Sequence, residues 1–172
     1  SNNSKKIKMN KNIILILLVT FFFGCADNVE FNNPAMQANF EGQSWLAVSF
    51  AADIDFGGFL IEGRRGTEVL QIITEDDTRG MYDLGPDTIS VAIFRDAEGV
   101  IYSTKNTPDP SVTVFPSDGL IIVEDIDNAE PKRVTGSFRF NAFSEDGLRS
   151  VNFIDGVFFK VSLSGGLEAL PD

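Results

Sequence analysis

Val134-Thr135-Gly136-Ser137-Phe138-Arg139-Phe140-Asn141-Ala142 decides how the rest of the chain is read. Val134, Gly136, Phe138, Phe140 and Ala142 fall on one face of an extended chain, and Thr135, Ser137, Arg139 and Asn141 on the other. A period of two carried by aromatic and β-branched residues marks a half-buried strand. Val157, Phe159, Val161 and Leu163 against Phe158, Lys160 and Ser162 repeat the arrangement. Leu148–Ile154 lies between the two, and Asp155-Gly156 joins it to the last strand. An Asp-Gly pair between alternating runs signals a hairpin, because a type I′ turn needs positive φ at both central residues. The three segments are expected to form an antiparallel meander, with Phe138, Phe140, Phe153 and Phe159 in one core. Arg139, Asn141, Lys160 and Ser162 would then make one solvent-facing patch.

The same reasoning extends toward the N-terminus. Met36–Phe40 and Ser44–Phe50 flank Glu41-Gly42-Gln43, and Gly58–Glu62 and Thr67–Thr74 flank Gly63-Arg64-Arg65-Gly66. Thr88–Arg95 and Val100–Thr104 flank Asp96-Ala97-Glu98-Gly99, and Leu120–Asp125 precedes a turn containing Pro131. Val69-Leu70-Gln71-Ile72-Ile73 is apolar on both faces and belongs at the centre of a sheet. No stretch after Cys25 carries a helical period. Strands at intervals of about ten residues without helices predict an all-β fold, an antiparallel meander of about eight to ten strands forming a sandwich or flattened barrel. Ser103–Asp118, with Pro108, Pro110 and Pro116, is long for a hairpin connection and is either a functional loop or a surface insertion.

Ahead of this domain, Ile13–Phe23 is an unbroken apolar run that stops at Gly24-Cys25. A lysine-bearing start, a short apolar core and a small residue before a cysteine describe an export signal of the lipoprotein type. The run has 11 residues, against the roughly 20 that a membrane-spanning helix needs. Cys25 is therefore the expected lipid attachment site. Met9-Asn10-Lys11-Asn12 has the form of a signal start; Met9 is the initiator, or the reading frame extends upstream of Ser1–Lys8. The expected organisation is a signal peptide over 1–24, a polar tether over 25–34, one all-β domain over 35–165 and a C-terminal tail over 166–172. The expected address is the envelope: exported and anchored to the outer membrane, on either its periplasmic or its extracellular face.

Composition excludes a good deal of chemistry. The chain has no histidine and one cysteine, which removes His-based triads, internal disulfides and nearly every zinc or copper site. Loss of the signal removes four of the 14 basic residues and none of the 25 acidic ones, taking the net charge from −11 to −15. Such a surface repels nucleic-acid phosphates and anionic headgroups; it either keeps an exported domain soluble or attracts cations or basic partners. No cofactor is expected, and the domain reads as non-enzymatic.

Three alternatives bring candidate residues. A carboxylate-dependent glycosidase would use a pair from Asp53/Asp55, Glu75-Asp76-Asp77, Glu124-Asp125/Asp127 or Glu145-Asp146, although most of these acids stand at turn positions. A loop-stabilising calcium ion could take Asp125 and Asp127, which alternate but lack the Gly and distal Glu of an EF-hand loop. A carbohydrate- or peptide-binding module would use exposed aromatics, for which Trp45, Tyr82, Phe143 and Phe158, with Tyr102 and Phe115, are the candidates. Phe143 and Phe158 stand out of phase with the apolar faces of their strands.

A set of segments also carries a resemblance. After the lipobox come Ala38-Asn39-Phe40-Glu41-Gly42-Gln43-Ser44-Trp45, Gly80-Met81-Tyr82-Asp83-Leu84, Val134–Ala142 and Val151-Asn152-Phe153-Ile154-Asp155-Gly156-Val157-Phe158. Over most of Ala35–Leu163 this resembles the uncharacterised Bacteroidetes lipoproteins grouped as a domain of unknown function. In those proteins a Gly-x-Phe-x-Phe-x-Ala strand precedes an Asp/Asn-Gly hairpin. The resemblance implies an all-β fold and surface or periplasmic anchoring, and it brings no catalytic residues.

Overall fold

A computed structural model of the chain describes residues 33–112 and 115–171. These fall in a unit running from Asn32 to Asp172. The signal, Cys25 and all but the end of the tether lie outside the described residues. Among the described residues there is no helix. Eleven strands run β1 (Met36–Phe40), β2 (Gln43–Leu46), β3 (Ser49–Asp53), β4 (Leu60–Arg65), β5 (Glu68–Ile73), β6 (Gly80–Leu84), β7 (Val91–Arg95), β8 (Ile101–Ser103), β9 (Gly119–Asp127), β10 (Arg133–Ser144) and β11 (Ser150–Ser162). All pair antiparallel in one curled sheet, a half-barrel, in the order β2-β1-β11-β10-β8-β7-β5-β4-β3.

The sheet forks at β10. Residues 133–140 of β10 pair with β9, which pairs in turn with β6, while Phe143 and Ser144 pair with β8. At the other extreme, β2 and β3 are consecutive pieces of chain. The Ala47 N–H reaches the Met36 carbonyl at 3.0 Å and the Val48 N–H the Arg64 carbonyl at 2.7 Å. Ser44–Phe50, expected as one strand, thus changes partner at Ala47-Val48, from β1 to β4.

The concave face holds the core. Phe153 stacks on Phe40 and Phe140 at 4.7 and 4.9 Å between centroids, and meets Phe94 and Trp45 edge-on at 5.0 and 6.1 Å. Phe138, Phe140 and Phe153 are buried as the alternation requires. β5, expected at the sheet centre, lies between β4 and β7 and is buried on both faces. Gly63 does not turn the chain; it sits inside β4. A Cβ there would approach the Trp45 ring to 3.0 Å and the Ala47 Cβ to 3.2 Å, so the glycine admits Met36, Trp45 and Ala47 against the strand. The turn follows at Gly66.

The meander is corrected. Leu148–Ile154 and Val157–Leu163 are not two strands joined at Asp155-Gly156 but one 13-residue strand, β11. Asp155 has φ 52° and Lys160 φ 49°, and the β10 register shifts beside each. Positive φ serves a β-bulge as well as a type I′ turn, and here a bulge bends the strand where a hairpin would reverse it. Each bulge adds a residue and inverts the alternation. Phe158 therefore enters the core, and Phe159, expected there, is half-buried on the other side with the Lys160 ammonium 5.3 Å above its ring. Val161 returns inward after the second bulge.

The convex face of β3–β5 carries the C-terminal tail. Ser164 donates to the Ala52 carbonyl at 2.9 Å and Leu167 to an Asp53 carboxylate oxygen at 3.0 Å. Gln71, almost wholly buried, donates to Glu62 at 2.7 Å and to the Glu168 carbonyl at 2.8 Å, and accepts from the Leu170 N–H at 2.7 Å.

Candidate functional site

The sequence-derived aromatic candidates do not form an open stacking surface, which corrects that expectation. Trp45 and Phe158 are fully buried and Phe143 and Tyr82 nearly so. The Trp45 indole N–H donates to Glu68 at 3.0 Å, with the Arg65 guanidinium 5.8 Å from the ring. Phe158 lies against Gly136. Phe143, on the face opposite the main core, has its carbonyl bound by the Asn106 amide at 2.8 Å. Tyr102 is buried, its hydroxyl 3.2 Å from Asp96, and Phe115 is half-buried. The out-of-phase rings proved to mark bulges and a sheet covered on both faces. The expected polar patch is also broken up: Asn141 is buried, donating to the Pro116 carbonyl at 3.0 Å and accepting from Asn152 at 2.7 Å.

The acids expected to act together are held apart by other partners. Asp125 pairs with Arg79, and Asp127 with Arg133 at 3.7 Å and the Ala129 N–H at 3.0 Å. Each of the two calcium candidates thus faces its own arginine. Among the described residues no group of three acids or other metal-binding side chains converges. Asp53 accepts from Ile54, Asp55 and Leu167. The Leu167 amide, against the opposing effect of burial, holds its carboxyl below the usual range.

A groove of about 360 Å³ opens beside β6, lined by Glu75, Met81, Asp83, Asp87, Thr88 and Ile89 with Tyr82 and Ser90. It lies where the sheet forks, between the last strand of one branch and the approach to β7 in the other. Local hydrogen bonds fix its walls. Thr74 accepts from the Phe59 N–H at 2.8 Å and donates to the Asp76 carbonyl at 2.6 Å. Ser90 accepts from the Glu75 N–H at 2.9 Å. Asp76 takes the N–H and hydroxyl of Thr78 at 2.9 and 2.6 Å and the Tyr82 hydroxyl as well. Those bonds, Thr78's first, keep Asp76 below the usual carboxylate range. Burial, and then Asp76 beside it, pushes the Tyr82 phenol up. Tyr82 therefore works as a strut whose ring belongs to the core.

What the groove presents is charge and apolar surface. Glu75, Asp83 and Asp87 are exposed and make no ion pair among the described residues. Met81 and Ile89 are each 69% exposed. Among the described residues no lysine or arginine lines it, and β6 pairs on one edge only, with β9. Such a surface can hold a cationic, partly apolar ligand. The alternation of Tyr82 and Leu84 with Met81 and Asp83 is the sequence signal for β6 as a strand.

Neither a curated protein nor a solved structure matches the chain. A family does: residues 32–162 match the family model described as a domain of unknown function, DUF6252, and the chain belongs to that family.

Proposed function

We propose that this protein is an exported lipoprotein of the bacterial envelope, anchored to the outer membrane through Cys25, whose β-domain is a non-enzymatic binding or accessory module. One observation carries the anchoring: the chain's single cysteine directly follows Gly24 and the 11-residue apolar run Ile13–Phe23. Several acyl chains on one such cysteine give stable membrane attachment. The kinship with Bacteroidetes lipoproteins belongs to the same proposal.

Support for a non-enzymatic role comes from the carboxylates. Asp53, Asp76, Asp109 and Asp146 are all held below the usual range, whereas a general acid near neutral pH needs the opposite shift. Peptide binding is favoured over glycan stacking because the candidate rings are buried and the open groove is acidic. The test is metabolic labelling of the full chain, expressed in a Gram-negative host, with radioactive palmitate. The wild-type protein should carry label and pellet with the outer membrane, and Cys25→Ser should do neither. Label on the serine variant, or none on the wild type, overturns the anchoring.

A further inference from the structure

We propose that the open edge of β6 accepts an extended basic segment of a partner protein as an added strand, with Glu75, Asp83 and Asp87 selecting its charge. This deepens the reading of the domain as a binding module and rests on it.

Three features converge at Gly80–Leu84. The first is backbone. β6 ends its branch of the sheet, and no hydrogen bond from its outer edge is made to any described residue. Five residues of open strand offer about 17 Å of ladder. Exposed edges are ordinarily blunted by charged side chains, proline or a bulge; Gly80-Met81-Tyr82-Asp83-Leu84 has no proline or bulge and a single charge, Asp83, and pairs in unbroken register with β9. Strand addition uses such an edge: main-chain bonds give affinity, and side-chain surroundings give specificity.

The second is space. The groove runs along this edge, walled on its far side by Asp87–Ser90. The third is charge complementarity. Three carboxylates that make no ion pair among the described residues, with no described cationic residue lining the groove, favour lysine or arginine on the incoming strand. The same charges argue against a second copy of β6 as the occupant, since like charges across a strand pair are destabilising. Asp83 points to the convex side with Met81, and Tyr82 to the concave side, so an entering strand meets acid and methionine on one face and the core margin on the other. The complementary sequence alternates basic and β-branched residues.

The experiment uses the full chain in detergent micelles and the peptide acetyl-(Lys-Val)4-amide, read by amide chemical shifts and hydrogen exchange. The expected result is saturable binding that protects β6 amides and weakens as salt rises. Glu75→Lys and Asp83→Lys should each weaken it about tenfold. These residues are exposed, and circular dichroism checks that the variants fold. Two peptides test the proposal without any variant. The charge-reversed acetyl-(Glu-Val)4-amide should not bind. A Lys-Val peptide N-methylated at alternate backbone nitrogens keeps its charge but loses ladder donors, and should bind about tenfold more weakly or worse. Equal binding of the N-methylated peptide means attraction by charge alone and overturns strand addition. Equal binding of the Glu-Val peptide overturns charge selection. A dimer in ultracentrifugation that Asp83→Lys dissociates would make a second copy the occupant, and also overturns the proposal. Acylation of Cys25 is scored by mass in the same preparation, so failure of anchoring and failure of peptide capture are told apart.

Discussion

At the scale of single residues, the bulges and close approaches in β10 and β11 set the positions of all the surrounding rings. A Cβ at Gly136 would fall on the Ile122 carbonyl oxygen and the Phe158 ring. The carbonyl belongs to the β9 ladder and has little freedom to retreat. Gly136→Ala is therefore expected to cost about 1–3 kcal/mol in urea denaturation. Asp155 tests the bulge itself. At φ 52° an aspartate is tolerated and a β-branched residue is not, so Asp155→Gly should stay near wild-type stability. Asp155→Val should lose about 1–2 kcal/mol. A turn residue at the tip of a free hairpin would respond in the same direction. The distinguishing observable is exchange at Ile154–Val157, which should be slow in a continuous strand flanked by β1 and β10 and fast in a loop.

At the scale of elements, the C-terminal tail depends on two side chains of the sheet it crosses. Gln71 satisfies its carboxamide on Glu62, Glu168 and Leu170 together. Gln71→Leu removes all three bonds and leaves the Oε2 of buried Glu62 without this donor, at a cost of about 1–3 kcal/mol. It should also speed amide exchange at Leu167 and Leu170 relative to the wild type. Asp53 brings a pH dependence. Its carboxyl lies below the ordinary 3.8 in the fold, chiefly through the Leu167 amide. The unfolded chain then binds the proton more readily, so the stabilisation is complete above about pH 3.8 and is lost as pH falls through the lower folded value. Exchange at the Leu167 amide should accelerate over that range relative to neighbouring strands. Asp53→Asn should flatten the dependence, while the contributions of Asp76, Asp109 and Asp146, shifted in the same direction, remain.

At the scale of the whole molecule, the half-barrel closes around Phe153. Its ring touches Phe40 from β1, Trp45 from β2, Phe94 from β7 and Phe140 from β10, so the strands before the fork meet the branch that holds β7 on it. Phe153→Ala should cost about 3–5 kcal/mol, a large part of the stability of a domain of this size. It should lower the thermal midpoints of the β3–β5 and β9–β11 regions together, because the main core cluster takes residues from both regions. Separate transitions in calorimetry would show the branches to be independent units.

The sequence by itself determined the local physics. Alternation in Val134–Ala142 placed Phe138 and Phe140 inside, the apolar run Val69–Ile73 placed β5 centrally, and both followed from a side-chain period that needs no knowledge of neighbours. It also determined that histidine chemistry is closed to this chain. Register lay beyond it. Asp155-Gly156 satisfies a turn and a bulge equally well, and only the pairing of β11 with β1 and β10 on its two sides selects the bulge; with that choice Phe158 and Phe159 exchange faces. Burial of Trp45, Tyr82 and Phe143 was equally hidden, since each depends on segments distant in sequence folding over it. The groove beside β6 is wholly tertiary. Glu75, Asp83 and Asp87 are ordinary surface acids in the linear chain, and they line one open edge because the sheet forks at β10.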